Sequence, residues 1–489
     1  MRKAITVVVL IVVLFVFFAG AWAGYQKLKK AYYIPKVEEI NMSEKIDKEC
    51  FGLFYYEGDR ARSVLESDLD IDPNKPIVIY THGMHHGTGY NLVYNFSDRR
   101  IWQNLGYNAF VFRWSQFSDD LNFARIEKKI WTRGNHEFAY KDEYGKRDIA
   151  INENSLSLSE IFGAYYNEFM TKYDIKAPEI RFLGHSMGGD LSMGIASYIK
   201  TMVGKGALER RFMLTRVVML DPFLSSVSNP MEAAWLKDSI GQEGNAKLYA
   251  SVIREYKEIG IPVEYIHSGY ADILASKEDR DLMKETAAFI KIDTSFLKGR
   301  IDEIIGDAHQ VAVDWYSQTM DYTYWDLSAA NLNYALASSV PTPYAAGLFG
   351  GAFVMNKNTT ADVADDEIYS TGFETIQIIG YAFKDKNGNG IMDETFAERQ
   401  KGINVMLYAN DTLVSTKTTN EGGFYKFNLD NSFVGKELKI VVEDIFSSII
   451  NSDQSIYESY KNSIGTSGES QEFVPNHKYQ IFVKNIGIK

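Results

Sequence analysis

A short apolar run, Ile180-Arg181-Phe182-Leu183, ends in Gly184-His185-Ser186-Met187-Gly188-Gly189 and passes straight into a helix-like segment, 190–201. A serine on so tight a strand-to-helix turn holds a strained backbone and projects its hydroxyl from the sheet edge. Gly184 and Gly188 are the small residues that such a turn requires two positions either side. The helix N-terminus beneath it favours negative charge as it develops. The chemistry this suits is nucleophilic attack on a carbonyl, with Ser186 as nucleophile.

A serine nucleophile needs a base, and the base needs an orienting carboxylate. Asp221 ends a later apolar run in Leu220-Asp221-Pro222, and His309 follows in Gly306-Asp307-Ala308-His309-Gln310. The chain order Ser, Asp, His is the one that accompanies a Gly-x-Ser-x-Gly elbow. Upstream, His82-Gly83 follows Ile79-Tyr80-Thr81, where an oxyanion loop belongs. The backbone N–H groups of Met84 and Met187 are therefore the expected oxyanion donors. Two rivals stay open: Asp272 as the acid and His267 as the base. His82, His85 and His86 also invite a zinc reading. Without a nearby carboxylate or cysteine, however, His-x-x-His-His in a glycine-rich loop is a poor tetrahedral site.

The elements that must hold these residues alternate. Strand-like runs at 76–81, 108–114, 180–183, 216–220, 262–266 and 288–292 are separated by helical stretches. In one of these helices Ser157 and Glu160 form a capping box before Ile161, Phe162, Tyr165, Phe169 and Met170 at helical spacing. Such alternation predicts an α/β fold with a mostly parallel sheet covered on both faces. Segments 115–155 and 223–260 are longer than simple connections, and each is a candidate lid. The expected boundaries are an N-terminal apolar segment over 1–30, a catalytic domain over 31–355, a linker over 356–374 and a β-sandwich over 375–489. The sandwich rests on short strands expected at 375–383, 404–408, 424–427, 438–442 and 479–483.

From about 76 to 320 the chain resembles the lipase branch of the α/β-hydrolases, the pancreatic-lipase-like family. Ile79-Tyr80-Thr81-His82-Gly83-Met84, the elbow and Leu-Asp-Pro carry the resemblance, with Val263-Glu264-Tyr265-Ile266-His267 and Trp315-Tyr316 beside them. It implies an α/β-hydrolase fold and a serine lipase or carboxylesterase acting on a lipid or small ester through Ser186, Asp221 and His309. With Cys50 its only cysteine, the chain lacks that family's disulfides. A thioester or peptide hydrolase, or a cell-surface binding protein that uses the fold as a scaffold, is the alternative reading.

Asp385-Lys386-Asn387-Gly388-Asn389-Gly390-Ile391-Met392-Asp393-Glu394 places oxygen ligands at every second position. Asp385, Asn387, Asn389, the Ile391 carbonyl and Asp393 would hold Ca2+, with Gly390 at the sharp turn. Phe396 stands where an EF-hand supplies its bidentate glutamate. With its flanking strands, this stretch resembles a B-type domain of serine-aspartate-repeat surface proteins. That resemblance implies a calcium-stabilised β-sandwich, with the ion structural and catalysis needing no cofactor.

The 489 residues are 45% hydrophobic and 24% charged, which excludes wholesale disorder, and the net charge of −12 argues against nucleic acid as a partner. Residues 4–24 carry no charge and follow Arg2-Lys3. They read equally as a signal peptide, with Ala21-Trp22-Ala23 as a cleavage site, or as an uncleaved helix able to span ~30 Å of hydrocarbon. Either reading puts the body of the protein outside the cytoplasm, secreted or anchored to the membrane.

Overall fold

The computed structural model describes residues 33–40, 46–84, 93–120, 123–133, 138–141, 147–150, 156–225, 245–269, 275–321, 342–347, 352–356, 367–370, 375–389, 391–442, 447–448, 450–453, 460–463, 472–475 and 480–488. Residues 4–24, His85, His86, Asp272 and Gly390 lie outside this set. Among the described residues no helix is long and apolar enough to cross a membrane.

Ten strands form one sheet: β1 (Phe51–Glu57), β2 (Arg60–Ser63), β3 (Ile77–Thr81), β4 (Asn108–Trp114), β5 (Ile180–His185), β6 (Arg216–Leu220), β7 (Val263–His267), β8 (Ala288–Ile292), β9 (Ala352–Asn356) and β10 (Glu367–Ser370). Their order is β10-β9-β8-β7-β6-β5-β3-β4-β1-β2. Neighbours from β4 through to β9 run parallel, while β1, β2 and β10 are antiparallel to the strands beside them. This is the α/β-hydrolase fold with its mostly parallel sheet. The β3–β5 and β5–β6 pairings make β5 central, and all five residues of β3 and of β6 are buried. Continuous apolar runs such as Ile77-Val78-Ile79 and Val217-Val218-Met219 suit strands covered on both faces.

Helices α1 (Arg99–Asn104), α2 (Phe123–Trp131), α3 (Leu158–Lys172), α4 (Met187–Gly204), α5 (Asn245–Glu258), α6 (Lys277–Thr286) and α7 (Ile301–Gln318) accompany the sheet. The capping box of α3 is present: Ser157 Oγ accepts from the Glu160 N–H at 3.3 Å, and Glu160 Oε2 accepts from the Ser157 N–H at 2.9 Å. Helices α3 and α4 lie close because Gly163 faces Tyr198 and Gly194 faces Ser159 and Ile130.

Three expectations change. The 223–260 candidate lid contains α5, whose Tyr249, Val252, Ile253 and Tyr256 are buried in the main core, so this part is a covering helix of the sheet. Within 115–155, α2 likewise buries Ile126 and Ile130. The expected linker includes β10, which pairs antiparallel with β9 from Phe353–Ser370 to Asn356–Glu367 and so forms the sheet edge.

The C-terminal region holds further sheets. β11 (Ile376–Lys384) pairs antiparallel with β14 (Phe424–Leu429) and parallel with β16 (Gln480–Val483) and β17 (Ile486–Ile488). β12 (Asn404–Ala409) lies between β13 (Thr412–Thr418) and β15 (Leu438–Val442). Ile376, Ile378, Val405, Leu407, Phe427, Leu438 and Ile440 fill one apolar cluster drawn from both. On β11, by contrast, Ile379 and Tyr381 belong to the core cluster of the ten-stranded sheet, together with Phe424 and Val483. The period-two alternation of a strand thus sends one side of β11 into each core.

The seam is also polar. Tyr381 Oη donates to the Gly260 carbonyl, Asn420 Nδ2 to the Glu258 carbonyl and Arg210 Nη2 to the Glu421 carbonyl.

Candidate active site

Ser186 stands between β5 and α4 with φ 56° and ψ −124°, backbone angles that a side chain other than glycine adopts rarely. Its N–H donates to the Leu220 carbonyl at 3.0 Å, and its carbonyl accepts from the N–H of Gly189 at 2.8 Å and of Phe223 at 3.2 Å. These bonds over-determine the turn. A methyl on Gly184 would overlap the Gly188 carbonyl oxygen. One on Gly188 would come within 2.5 Å of the His82 carbonyl oxygen and 2.6 Å of that of Thr81.

Asp221 follows β6 as Ser186 follows β5, because His185 and Leu220 are register partners on these adjacent parallel strands. Asp221 also has a positive φ, 41°. Its side chain is almost wholly buried. Oδ1 accepts the N–H groups of Ser268 and Gly269, each at 3.0 Å, and lies 3.2 Å from His267 Nδ1. Oδ2 lies 2.6 Å from His309 Nδ1. Burial alone would raise this carboxyl, but the hydrogen bonds and charges of His267 and His309 outweigh it and hold the group well below the usual carboxylate range.

His309 lies within helix α7. It is partly exposed. Its carbonyl is 3.1 Å from His185 Nε2, and the two imidazole rings are 4.4 Å apart. The residue before Ser186 therefore touches the residue paired with Asp221. Burial, reinforced by the neighbouring His309, lowers the His185 pKa to about 3, so this ring is neutral. Space here is tight: a methyl on Gly269 would come 2.6 Å from Asp221 Oδ2 and 2.9 Å from the His309 backbone nitrogen.

The loop after β3 lies against the serine. A methyl on Gly83 would come 2.6 Å from Ser186 Cβ. Met84 follows it, half-buried, and Met187 opens α4, fully buried. His82 is buried and spoken for: its Nε2 accepts the Trp114 N–H at 3.2 Å and lies 3.3 Å from Ser115 Oγ. Its Nδ1 therefore carries the proton and donates to the Gly83 carbonyl at 2.9 Å. A ring used in this way braces the loop and has no nitrogen left for a metal.

Sequence reasoning missed Asp190, in the first turn of α4. This carboxylate is fully buried, and its Oδ1 accepts Tyr249 Oη at 2.7 Å and Trp131 Nε1 at 2.8 Å. A lone aspartate after Gly-Gly carries no sequence signal beyond that of a helix start.

In the 385–394 loop, Asp385 Oδ1 accepts the Gly388 N–H at 2.7 Å, while the Asn387 and Asn389 amides donate to Asp393 at 3.1 Å and 2.7 Å. Asn389 Oδ1 accepts the Ile391 N–H at 2.7 Å. Glu394 Oε1 accepts the Lys386 N–H, whereas Oε2 is buried without a hydrogen-bond partner. Burial raises the Glu394 carboxyl, and Asp393 and Asp385 add to this. Among the described residues, no three His, Cys, Asp or Glu side chains gather as a metal-holding group.

No family model matches the chain, and no curated protein is similar to it. Solved structures similar to it include a thermophilic esterase from Thermogutta terrifontis with butyrate bound, at 13% identity and TM-score 0.30, covering 58% of this chain and 95% of that one. Another is esterase B from Lactobacillus rhamnosis, inhibited by a tributyrin phosphonate, at 15% identity and TM-score 0.28, covering 62% and 95%. A third is an S-formylglutathione hydrolase from Agrobacterium tumefaciens, at 14% identity and TM-score 0.29, covering 50% and 84%. The fold assignment rests on the strand order of the sheet itself.

Proposed function

We propose that this chain is a serine hydrolase of carboxylic esters, a lipase or carboxylesterase of the pancreatic-lipase-like kind. The observation that carries the reading is the 2.6 Å contact of His309 Nδ1 with Asp221 Oδ2, at the end of the strand beside the strained Ser186 turn. With Nδ1–H committed to the carboxylate, Nε2 is the nitrogen that accepts a proton. Ser186 Oγ attacks the ester carbonyl carbon as His309 Nε2 takes its proton. The backbone N–H groups of Met84 and Met187 stabilise the tetrahedral oxyanion, about 3 kcal/mol for each donor in comparable sites. The C–O bond to the alcohol breaks, His309 returns the proton to that oxygen, and an acyl-enzyme remains. Water, deprotonated by the same imidazole, then releases the acid and Ser186.

Residues 385–394 form a calcium site in this reading, with Asp385, Asn387, Asn389, Asp393 and the Ile391 carbonyl as ligands. The buried Glu394 Oε2, without a hydrogen-bond partner, supports it, since a cation would satisfy that oxygen. When bound, the ion supplies structural stiffness. Residues 4–24 carry the protein out of the cytoplasm or hold it on the membrane.

The test is hydrolysis of p-nitrophenyl esters from acetyl to palmitoyl by the full chain and by Ser186→Ala, with fluorophosphonate labelling of both. Activity and label lost together in the variant are expected, and the chain-length optimum separates esterase from lipase. Equal rates in both proteins would sink the assignment.

A further inference from the structure

Asp221 serves two histidines. Its Oδ2 meets His309, while on the other oxygen the imidazole of His267 stands 3.2 Å away, beside the N–H groups of Ser268 and Gly269. His267 ends β7, the strand next to β6 in the sheet, so its ring reaches the carboxylate that follows β6. The ring is largely buried and stacks on Phe289, centroids 6.2 Å apart, and on Tyr265 at 6.4 Å. Packing of this kind fixes its orientation toward the carboxylate.

We infer that His267 is a positioning residue for Asp221: its Nδ1, 3.2 Å from Oδ1, shares the carboxylate charge as a donor and so limits how strongly Asp221 attracts the proton of His309. The proposal rests on the esterase reading for its catalytic meaning, but the contact stands without it. A carboxylate that receives donors on one oxygen has less negative charge to offer at the other. In an enzyme that needs neutral His309 as its base, this tempering keeps the base free of a proton at lower pH. The other titratable neighbours are the buried, neutral His185, which packs on His309, and Lys291, the register partner of His267 on β8, whose side chain is exposed.

The experiment follows the His309 ring by nitrogen-15 NMR across a pH titration in the wild-type full chain, His267→Phe, His267→Asn and Asp221→Asn. The Asn amide puts an N–H near the place of Nδ1, and Phe keeps the stacking without a donor. We expect His267→Phe to raise the His309 midpoint by about half to one pH unit and His267→Asn to return it to near wild type. Asp221→Asn should lower it, which checks that the signal reports the carboxylate. A purely structural role has the opposite sign, since a loosened Asp221 would let the His309 midpoint fall. His267→Leu replaces the Phe variant if that chain does not fold. An unchanged or lowered midpoint without the donor, or an Asn variant that behaves like Phe, overturns the proposal. Ester hydrolysis by the same samples reads the esterase assignment separately, because the titration needs no turnover.

Discussion

Tyr249 donates its hydroxyl to Asp190 Oδ1 at 2.7 Å, inside the first turn of the helix that Ser186 opens. Burial pushes the Asp190 carboxyl from 3.8 up to about 7, against the opposing pull of the Tyr249 and Trp131 donors. Folded Asp190 therefore holds its proton more tightly than the unfolded chain does. Its contribution to stability is whole below pH 3.8 and is lost as pH rises through about 7. Asp190→Asn removes this titration. Urea midpoints of the wild type should fall between about pH 4 and pH 7, with a slope of at most one proton, and the variant should fall less. Parallel curves would rule out Asp190 as the source.

The elbow tolerates no side chain at its flanks. Because a methyl on Gly184 meets backbone and not a movable side chain, Gly184→Ala must displace the turn. We expect a stability loss of about 1–3 kcal/mol and a kcat about 100-fold lower in protein that still folds. Circular dichroism melts and p-nitrophenyl butyrate turnover read the two effects. Full activity in the variant would contradict the turn as described.

Asp221→Asn keeps the shape of the carboxylate and removes its charge. The amide can donate to His309 Nδ1, which favours the wrong tautomer. A fall in kcat of about 10,000-fold is expected with little change in fold, as in other sites of this design. Loss of less than about tenfold would point to the rival acid, Asp272, and away from the 2.6 Å pair.

Calcium at 385–394 should stabilise by mass action, about 2.7 kcal/mol at a concentration 100-fold above its dissociation constant. Differential scanning calorimetry with calcium and with chelator should show a higher Tm for the loaded wild type and no difference for Asp385→Asn. Identical scans for the wild type would remove calcium from the account.

Legibility in the sequence followed the strength of local constraint. Strands 108–114, 216–220 and 288–292 were readable to the residue because each is a dense apolar run between turn residues. Ser186 was readable because two glycines and a strand-helix junction leave few other uses for the pattern. The β1–β2 hairpin, Phe51–Glu57 with Arg60–Ser63, escaped notice because its first strand is buried along most of its length and so shows no alternation. β9 and β10 are short, and their sheet partners are brought in from afar. His267 was visible only as a competitor of His309. That both rings reach one carboxylate is a product of strand order, and spacing along the chain does not encode it.

β11 has eight consecutive buried residues before the exposed Lys384, because its two sides belong to different cores. Removing the chain from β11 onward would leave the Gly260 corner after α5 without Tyr381 and Phe424, a raw apolar face. The two parts are therefore not interchangeable cassettes. Gene shuffling that broke the chain near 371 would separate halves of one foundation.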